Sequence, residues 1–123
     1  MYTVLRLTGE QLTTTAAADA INRVTPGTMS TRKGPSGGYG ASVCDSDSWD
    51  DHIRALEAFI DNHRDSLSAA TASGASAQFD AAIEPEDARG RLYTSFACPP
   101  SLHRDLGAVG ASLVLSWYEG PQA

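Results

Sequence analysis

The sequence predicts a single α+β domain, residues 1–123, in which an antiparallel sheet carries two main helices packed on one face. Two stretches, residues 77–83 and 111–118, alternate side chains between two faces as half-buried strands do. Helical patterns lie between the strand patterns, and 123 residues is close to the commonest size of one domain. Strands with one polar face need cover on one side only, which favours helices on a single face of the sheet.

The first half of the chain predicts the order β-α-β. Residues 2–8 are apolar and rich in β-branched side chains, and Gly9 ends the strand. Residues 12–24 carry apolar side chains at helical spacing, with Pro26 and Gly27 closing the helix. A glycine-rich loop over residues 27–38 then leads to a strand over residues 39–44. The predicted buried stripe of the helix is Leu12, Ala16 or Ala17, Ala20, Ile21 and Val24.

The strongest helical pattern runs from Trp49 to His63. Ser48 is a favourable residue to cap its start, and the acidic first turn suits the helix dipole. The stripe could extend to Leu67, but residues 66–74 are small and polar and are expected to form a loop. The apolar stripe consists of Trp49, Ile53, Leu56, Phe59 and Ile60.

The remaining patterns predict β-β-α-β, which completes the order β-α-β-α-β-β-α-β. Residues 77–83 alternate as a half-buried strand, and residues 92–98 form its hairpin partner across an acidic turn at 84–90. A short helix over residues 99–106 precedes the last strand, residues 111–118, in which Trp117 is expected to lie in the core.

Charge limits the classes of partner. The chain has fifteen acidic and nine basic residues and a net charge of −6. This balance argues against nucleic-acid binding, which depends on Lys and Arg displacing counterions, and it favours docking on a basic protein. No signal peptide and no apolar run of membrane-spanning length is present, which indicates a cytoplasmic protein with reduced cysteines and no membrane contact.

The layout also carries a family resemblance. Its landmarks are Gly9 after the first strand, Pro26, Lys33-Gly34, Ser48-Trp49 before a helix ending near Leu67, Leu106-Gly107 and Trp117-Tyr118. This order resembles the bacterial domain-of-unknown-function 4279 family over nearly the whole chain. The resemblance implies the fold and implies no catalytic residues. In size, acidity and lack of active-site motifs the chain also resembles immunity proteins of toxin systems.

An acidic cluster lies between the third predicted element and the long helix. It contains Asp45, Asp47, Asp50 and Asp51 around Trp49. A calcium loop of the EF-hand type counted from Asp45 fails, because its fifth, sixth and twelfth positions hold Trp, Asp and Leu. Two interpretations remain: a solvated helix start with favourably placed acids, or a docking patch for a basic partner.

The glycine-rich loop is the second candidate site. Arg32, Lys33, Gly37 and Gly38 could cradle a phosphate or another small ligand. A P-loop, however, needs Gly-Lys-Ser or Gly-Lys-Thr at the start of a helix, whereas here the Lys precedes the glycines and a strand follows. An ordinary connecting loop is the competing interpretation.

Nothing in the pattern indicates catalysis, a metal or a cofactor. No Gly-x-Ser-x-Gly nucleophile elbow occurs: residues 34–38 have that spacing, but a strand is predicted to follow them, whereas an elbow leads into a helix. The two prolines between Cys98 and His103 favour a tight turn over a catalytic dyad. His52 and His63 share a helix face but lie about 16 Å apart along it. Cys44 and Cys98 are expected to be small buried residues at strand ends.

The sequence therefore predicts a non-catalytic bacterial binding protein, of the immunity or inhibitor type, that docks an acidic surface on a basic protein. Its contact residues would be Asp45, Asp47, Trp49, Asp50 and Asp51. The alternative is a small-molecule or phosphate-binding domain that uses the loop from Arg32. A homo-oligomer through the uncovered sheet face is compatible with either.

Overall fold

The computed structural model describes residues 1–32, 37–84 and 96–117 and shows an α+β fold. Within these ranges a five-stranded sheet has the strand order β2-β3-β1-β4-β5. The elements are β1 (Tyr2–Thr8), α1 (Gln11–Val24), β2 (Ser30–Thr31), β3 (Tyr39–Asp45), α2 (Trp49–Asn62), α3 (Arg64–Ala72), β4 (Ser76–Ile83), α4 (Pro100–Val109) and β5 (Ser112–Trp117). No helix in these ranges is long and apolar enough to cross a membrane.

The sheet is mostly antiparallel, and the prediction of a wholly antiparallel sheet is wrong at β5. The central strand β1 runs antiparallel to both neighbours, so that Leu5 pairs with Ala41 of β3 and with Phe79 of β4. In contrast, β5 lies parallel to β4. The reason is the connection: α4 lies between these two strands in the chain, and a helical crossover returns the next strand in the same direction.

The predicted hairpin partner of β4, residues 92–98, is not a neighbour of β4 in the described sheet. Both edges of β4 are occupied, by β1 on one side and by β5 on the other. Residues 85–95, which include most of the predicted turn and second strand, lie outside the described residues, and residues 96–98 have no regular secondary structure before α4.

The segment after α2 is a helix where the sequence predicts a loop. Residues 64–72 form α3, with Leu67 and Ala70 buried three positions apart. The segment is rich in alanine, the best helix former, although its average hydrophobicity is low. Packing of Leu67 and Ala70 against the core stabilises the helix.

The first helix buries only part of the predicted stripe, Ala17 and Ile21. Thr14, Ala17, Ala18 and Ile21 face the core, whereas Leu12 and Val24 are 78% and 60% exposed. The buried set has the spacing i, i+3, i+4, i+7, and small side chains fill it because α1 packs closely against α3.

The turn after α1 contains a strand that was not predicted. The Asn22 side chain holds this turn by accepting from the Met29 amide at 2.7 Å and donating to the Met29 carbonyl at 3.1 Å. Ser30 and Thr31 then pair with β3 as β2. The predicted loop over residues 27–38 thus adds an edge strand to the sheet.

One core lies between the sheet and a layer of all four helices. Phe79 of β4 is fully buried at its centre, and its ring meets the Phe59 ring of α2 edge-on, with centroids 5.8 Å apart. Leu5 and Leu7 of β1 line the same side of the sheet. The prediction that helices cover one face is confirmed, with four helices where two main ones were expected.

The opposite side of the sheet, called here the outer face, is largely polar. Tyr2, Arg6 and Thr8 alternate on β1 with the core residues and meet Gln78 and Asp80 of β4 on this face. Asp80 is buried and forms an ion pair with Arg6, in which Nη1 of Arg6 lies 2.8 Å from Oδ2 of Asp80.

The prediction that Trp117 lies in the core is wrong. The side chain is 53% exposed, because β5 is the edge strand and only its beginning, at Leu113, packs against the core. The alternation of apolar side chains in this strand is real, but the helix layer does not extend over its end.

His63, at the junction of α2 and α3, predicts a pH dependence of stability. The side chain is buried beside Phe59, its Nδ1 has no partner among the described residues, and burial lowers its pKa. The unfolded chain takes up the imidazole proton at the ordinary pKa, and the folded chain only at lower pH. Above the ordinary pKa of histidine, His63 therefore does not lower the stability of the folded chain. As the pH drops below that ordinary pKa, the stability falls.

We expect the free energy of unfolding to fall by up to about 1.4 kcal/mol per pH unit in that window. His63→Gln should remove this component, whereas His103→Gln, at an exposed histidine of α4, should keep it. Urea unfolding at several pH values between neutral and mildly acidic measures the difference. Identical pH profiles for wild type and His63→Gln would contradict the assignment.

Candidate functional site

The acidic surface, Asp45, Asp47, Trp49, Asp50 and Asp51, lies where β3 ends and α2 begins. The structure brings together all five residues of this predicted contact patch, and all four carboxylates are exposed. Asp50 and Asp51 are in the first turn of α2, where the partial positive charge of the helix start stabilises carboxylates. Ser48 occupies the N-cap position, but its side chain makes no capping hydrogen bond.

Ser46 organises the turn below this surface. Its hydroxyl donates to Oδ2 of Asp51 at 2.7 Å and accepts from the Ser48 amide at 3.1 Å. Arg54 also contacts Asp51, with Nη2 3.4 Å from Oδ1. Asp51 is therefore committed to holding the turn and is the least available of the four acids.

A buried histidine ties the same turn to the sheet. His52 is fully buried, and its Nε2 lies 2.8 Å from the Ser46 carbonyl, which can only accept. Nδ1 then accepts from the Thr3 hydroxyl of β1 at 2.8 Å. Both ring nitrogens are used, so His52 is a structural link between β1 and α2 and is not placed to bind a metal.

Trp49 forms a fixed, half-buried platform between the acids. Its Nε1 donates to the Ala97 carbonyl at 2.7 Å. The ring meets Phe96 edge-on at 5.5 Å and lies stacked beside His52 at 6.1 Å, both measured between ring centroids. The indole is therefore held in one position and keeps part of its surface accessible.

A shallow groove of about 390 Å³ runs across this platform. Asp47 and Asp50 line it together with Phe96 and Ala97. Sequence reasoning missed Phe96 and Ala97, because they are almost fifty positions away from Trp49 and no local pattern links them.

The charges of this surface are largely uncompensated. Asp45 and Asp50 have no basic group within 4 Å in the described part of the chain. Asp47 is fully exposed, and its carboxylate lies 3.8 Å from the amino group of Met1. Because the Asp47 carboxylate lies in solvent and the distance is long, this pair is weak, and Asp47 also contributes negative potential.

The structure explains why the glycine-rich loop has glycines at positions 37 and 38. Gly37 and Gly38 have φ of +58° and +84°, and the Gly38 carbonyl accepts from the Arg32 amide at 2.9 Å. A Cβ atom at Gly38 would meet the Leu7 carbonyl oxygen, so the close approach of two backbones requires glycine there. Lys33 lies outside the described residues, and Arg32 reaches the outer face of the sheet.

The two cysteines are free and are poor nucleophiles. Burial raises the pKa of both thiols, and the carboxylates of Asp51 and Asp45 beside Cys44 and of Glu57 beside Cys98 raise it further. These shifts disfavour the thiolate that nucleophilic attack needs. Within residues 1–32, 37–84 and 96–117, no three His, Cys, Asp or Glu side chains are grouped so that they could hold a metal ion.

No protein-family model, no curated protein and no solved structure matches this chain. The resemblance to the domain-of-unknown-function 4279 family therefore stays a prediction of the sequence. Inference about function depends on the geometry and charge of the surfaces described above.

Proposed function

We propose that the protein is a non-catalytic binding protein that docks its acidic surface on a basic protein partner. The observation that carries this proposal is the position of Asp47 and Asp50 beside Trp49, whose ring is fixed by its hydrogen bond to Ala97. An aromatic anchor that is already ordered loses little conformational entropy when a partner covers it. Tryptophan is also among the residues that most often dominate binding energy at interfaces.

Charge supports the same partner class. Asp45 and Asp50, which have no basic group within 4 Å among the described residues, and the fully exposed Asp47 add to a net charge of −6, which attracts a basic surface and speeds association. An inhibitor or immunity-type protein, which covers the basic surface of another protein, is the form of this function that we propose. The two free thiols support a reducing compartment such as the cytoplasm.

The test is a pair of variants with equal changes of charge. Asp47→Lys with Asp50→Lys alters the acidic surface and leaves Asp51 to hold the turn. Asp19→Lys with Asp65→Lys is the matched control, because all four carboxylates are exposed and Asp50 and Asp65 both lie in a first helical turn. Partners captured by the wild type from a bacterial lysate are identified by mass spectrometry, purified and titrated against all three proteins.

We expect a basic partner whose Kd rises by about tenfold or more for the Asp47/Asp50 variant and changes little for the control. Equal loss with both variants would show that only net charge matters, and would contradict the site. A partner that binds the Asp47/Asp50 variant as tightly as the wild type would contradict it as well.

A further inference from the structure

The outer face of the sheet carries a second feature, a polar groove that contains two arginines in an acidic protein. The groove has a volume of about 300 Å³ and is lined by Arg6, Thr8, Arg32, Ser76 and Gln78. All five side chains are hydrogen-bonding groups, and none is a carboxylate. From this groove we propose that the outer face binds a small phosphate-bearing ligand between Arg6 and Arg32.

The register of the sheet places these residues together. Arg6 of β1 lies opposite Gln78 of β4, and Thr8 lies opposite Ser76, so their side chains share the outer face. Arg6 also lies opposite Gly40 of β3 on its other side. The juxtaposition therefore depends on three strands that are far apart in sequence.

Gly40 makes room for the second arginine. A Cβ atom at Gly40 would lie 3.2 Å from both Cγ and Cδ of Arg32. The methylene groups of Arg32 thus lie across β3 where any other residue would place a side chain. This position directs Arg32 to the same groove as Arg6.

The two arginines have different roles. Arg6 is fixed by its 2.8 Å ion pair with Asp80, whose other oxygen accepts from the Ser116 hydroxyl at 2.7 Å. A guanidinium has five N–H donors, so Arg6 retains donors for a ligand while its charge is balanced by Asp80. Arg32 has no carboxylate within 4 Å among the described residues and supplies the net positive charge.

This donor set matches the chemistry of a phosphate group. Guanidinium groups present planar, paired donors that suit phosphate oxygens, and hydroxyl and amide donors complete such sites. Thr8, Ser76 and Gln78 supply those neutral donors. Nucleic acid is disfavoured as the source of the phosphate, because the net charge of −6 repels a polyanion.

A second groove supplies space for the organic part of the ligand. It adjoins the first, shares Arg6 and Arg32, and has a volume of about 490 Å³. Tyr2, Val4 and Ser42 line it, which gives an aromatic, an aliphatic and a hydroxyl surface. A small organic phosphate the size of a nucleoside monophosphate would place its phosphate between the arginines and its organic part over Tyr2.

The probes for this site are inorganic phosphate, adenosine monophosphate and adenosine, at constant ionic strength. The melting temperature of the protein is measured against the concentration of each, because a ligand that binds only the folded state raises it. Arg32→Gln removes the unbalanced charge without leaving Asp80 unpaired. Arg104→Gln, at an exposed arginine of α4 on the helix side, is the matched control.

We expect phosphate and adenosine monophosphate to raise the melting temperature of wild type and Arg104→Gln, and adenosine to have little effect. Arg32→Gln should weaken adenosine monophosphate binding by about tenfold, the value of one charge-assisted contact. The proposal is overturned if none of the probes binds, if adenosine binds as well as its monophosphate, or if Arg32→Gln binds like wild type. Because the acidic surface lies at a different place, none of these results bears on partner docking.

Discussion

Truncation of Phe79 to alanine is expected to lower the free energy of unfolding by about 3–5 kcal/mol, a large share of the total stability of a domain this size. Phe79 is fully buried in the central part of the sheet, between β1 and β5. The truncation removes its contact with the Phe59 ring and leaves a cavity that the strands on both sides prevent from closing. Urea unfolding followed by circular dichroism measures the loss.

The matched control for this truncation is Leu12→Ala on α1. Leu12 is also a large apolar residue, but it is exposed, so its truncation should change stability by less than about 0.5 kcal/mol. Equal effects of the two variants would show that the core is not centred on Phe79.

The second large effect is expected from Arg6→Gln, at about 3 kcal/mol of lost stability. The substitution leaves the buried Asp80 carboxylate with the Ser116 hydroxyl as its remaining partner among the described residues. An unpaired buried charge is costly because it has lost water without gaining a counter-charge. For the same reason, Arg6→Gln is unsuitable as a test of ligand binding on the outer face.

A double-mutant cycle tests this explanation. Asp80→Asn removes the stranded charge, so the Arg6→Gln/Asp80→Asn double variant should be more stable than Arg6→Gln alone. Denaturant midpoints of the four proteins give the coupling energy. Additive losses would mean that the ion pair contributes nothing beyond packing.

Local patterns predict most of the elements and little of their pairing. The apolar, β-branched run of residues 2–8 predicts β1 at the bounds that the structure shows, and the apolar stripe predicts α2 to within one residue of its end. The pattern does not predict strand direction, because alternation is the same in parallel and antiparallel strands. The pattern of β5 therefore does not reveal its parallel pairing with β4. The helix α3 was missed because alanine and serine give a weak apolar signal even where helix propensity is high.

The candidate sites, too, are predictable only where their residues are neighbours in sequence. The acidic surface is predictable because its five residues are neighbours in sequence, at a strand-to-helix turn. The sequence does not predict which of these acids are available to a partner, because the role of Asp51 depends on its hydrogen bond with Ser46. It also does not predict the fixed position of Trp49, which depends on the distant Ala97. The pairing of Arg6 with Asp80 follows from strand register, which a single sequence does not specify.

Homo-oligomerisation through the outer face stays a prediction. The face carries Arg6, Gln78 and the Arg6–Asp80 ion pair, a polar surface of the kind that is uncommon at the centre of permanent dimer interfaces. A mass measurement at micromolar concentration distinguishes a monomer from a dimer.

The central place of β1 in the sheet has a consequence for biosynthesis. This strand leaves the ribosome before both of its partners, residues 39–45 and 76–83. At about 5–20 residues per second, the second partner is made several seconds later. Until residues 76–83 are made, at least one hydrogen-bonding edge of this apolar strand is unpaired, which exposes residues 2–8 to chaperones and to misassembly on the nascent chain.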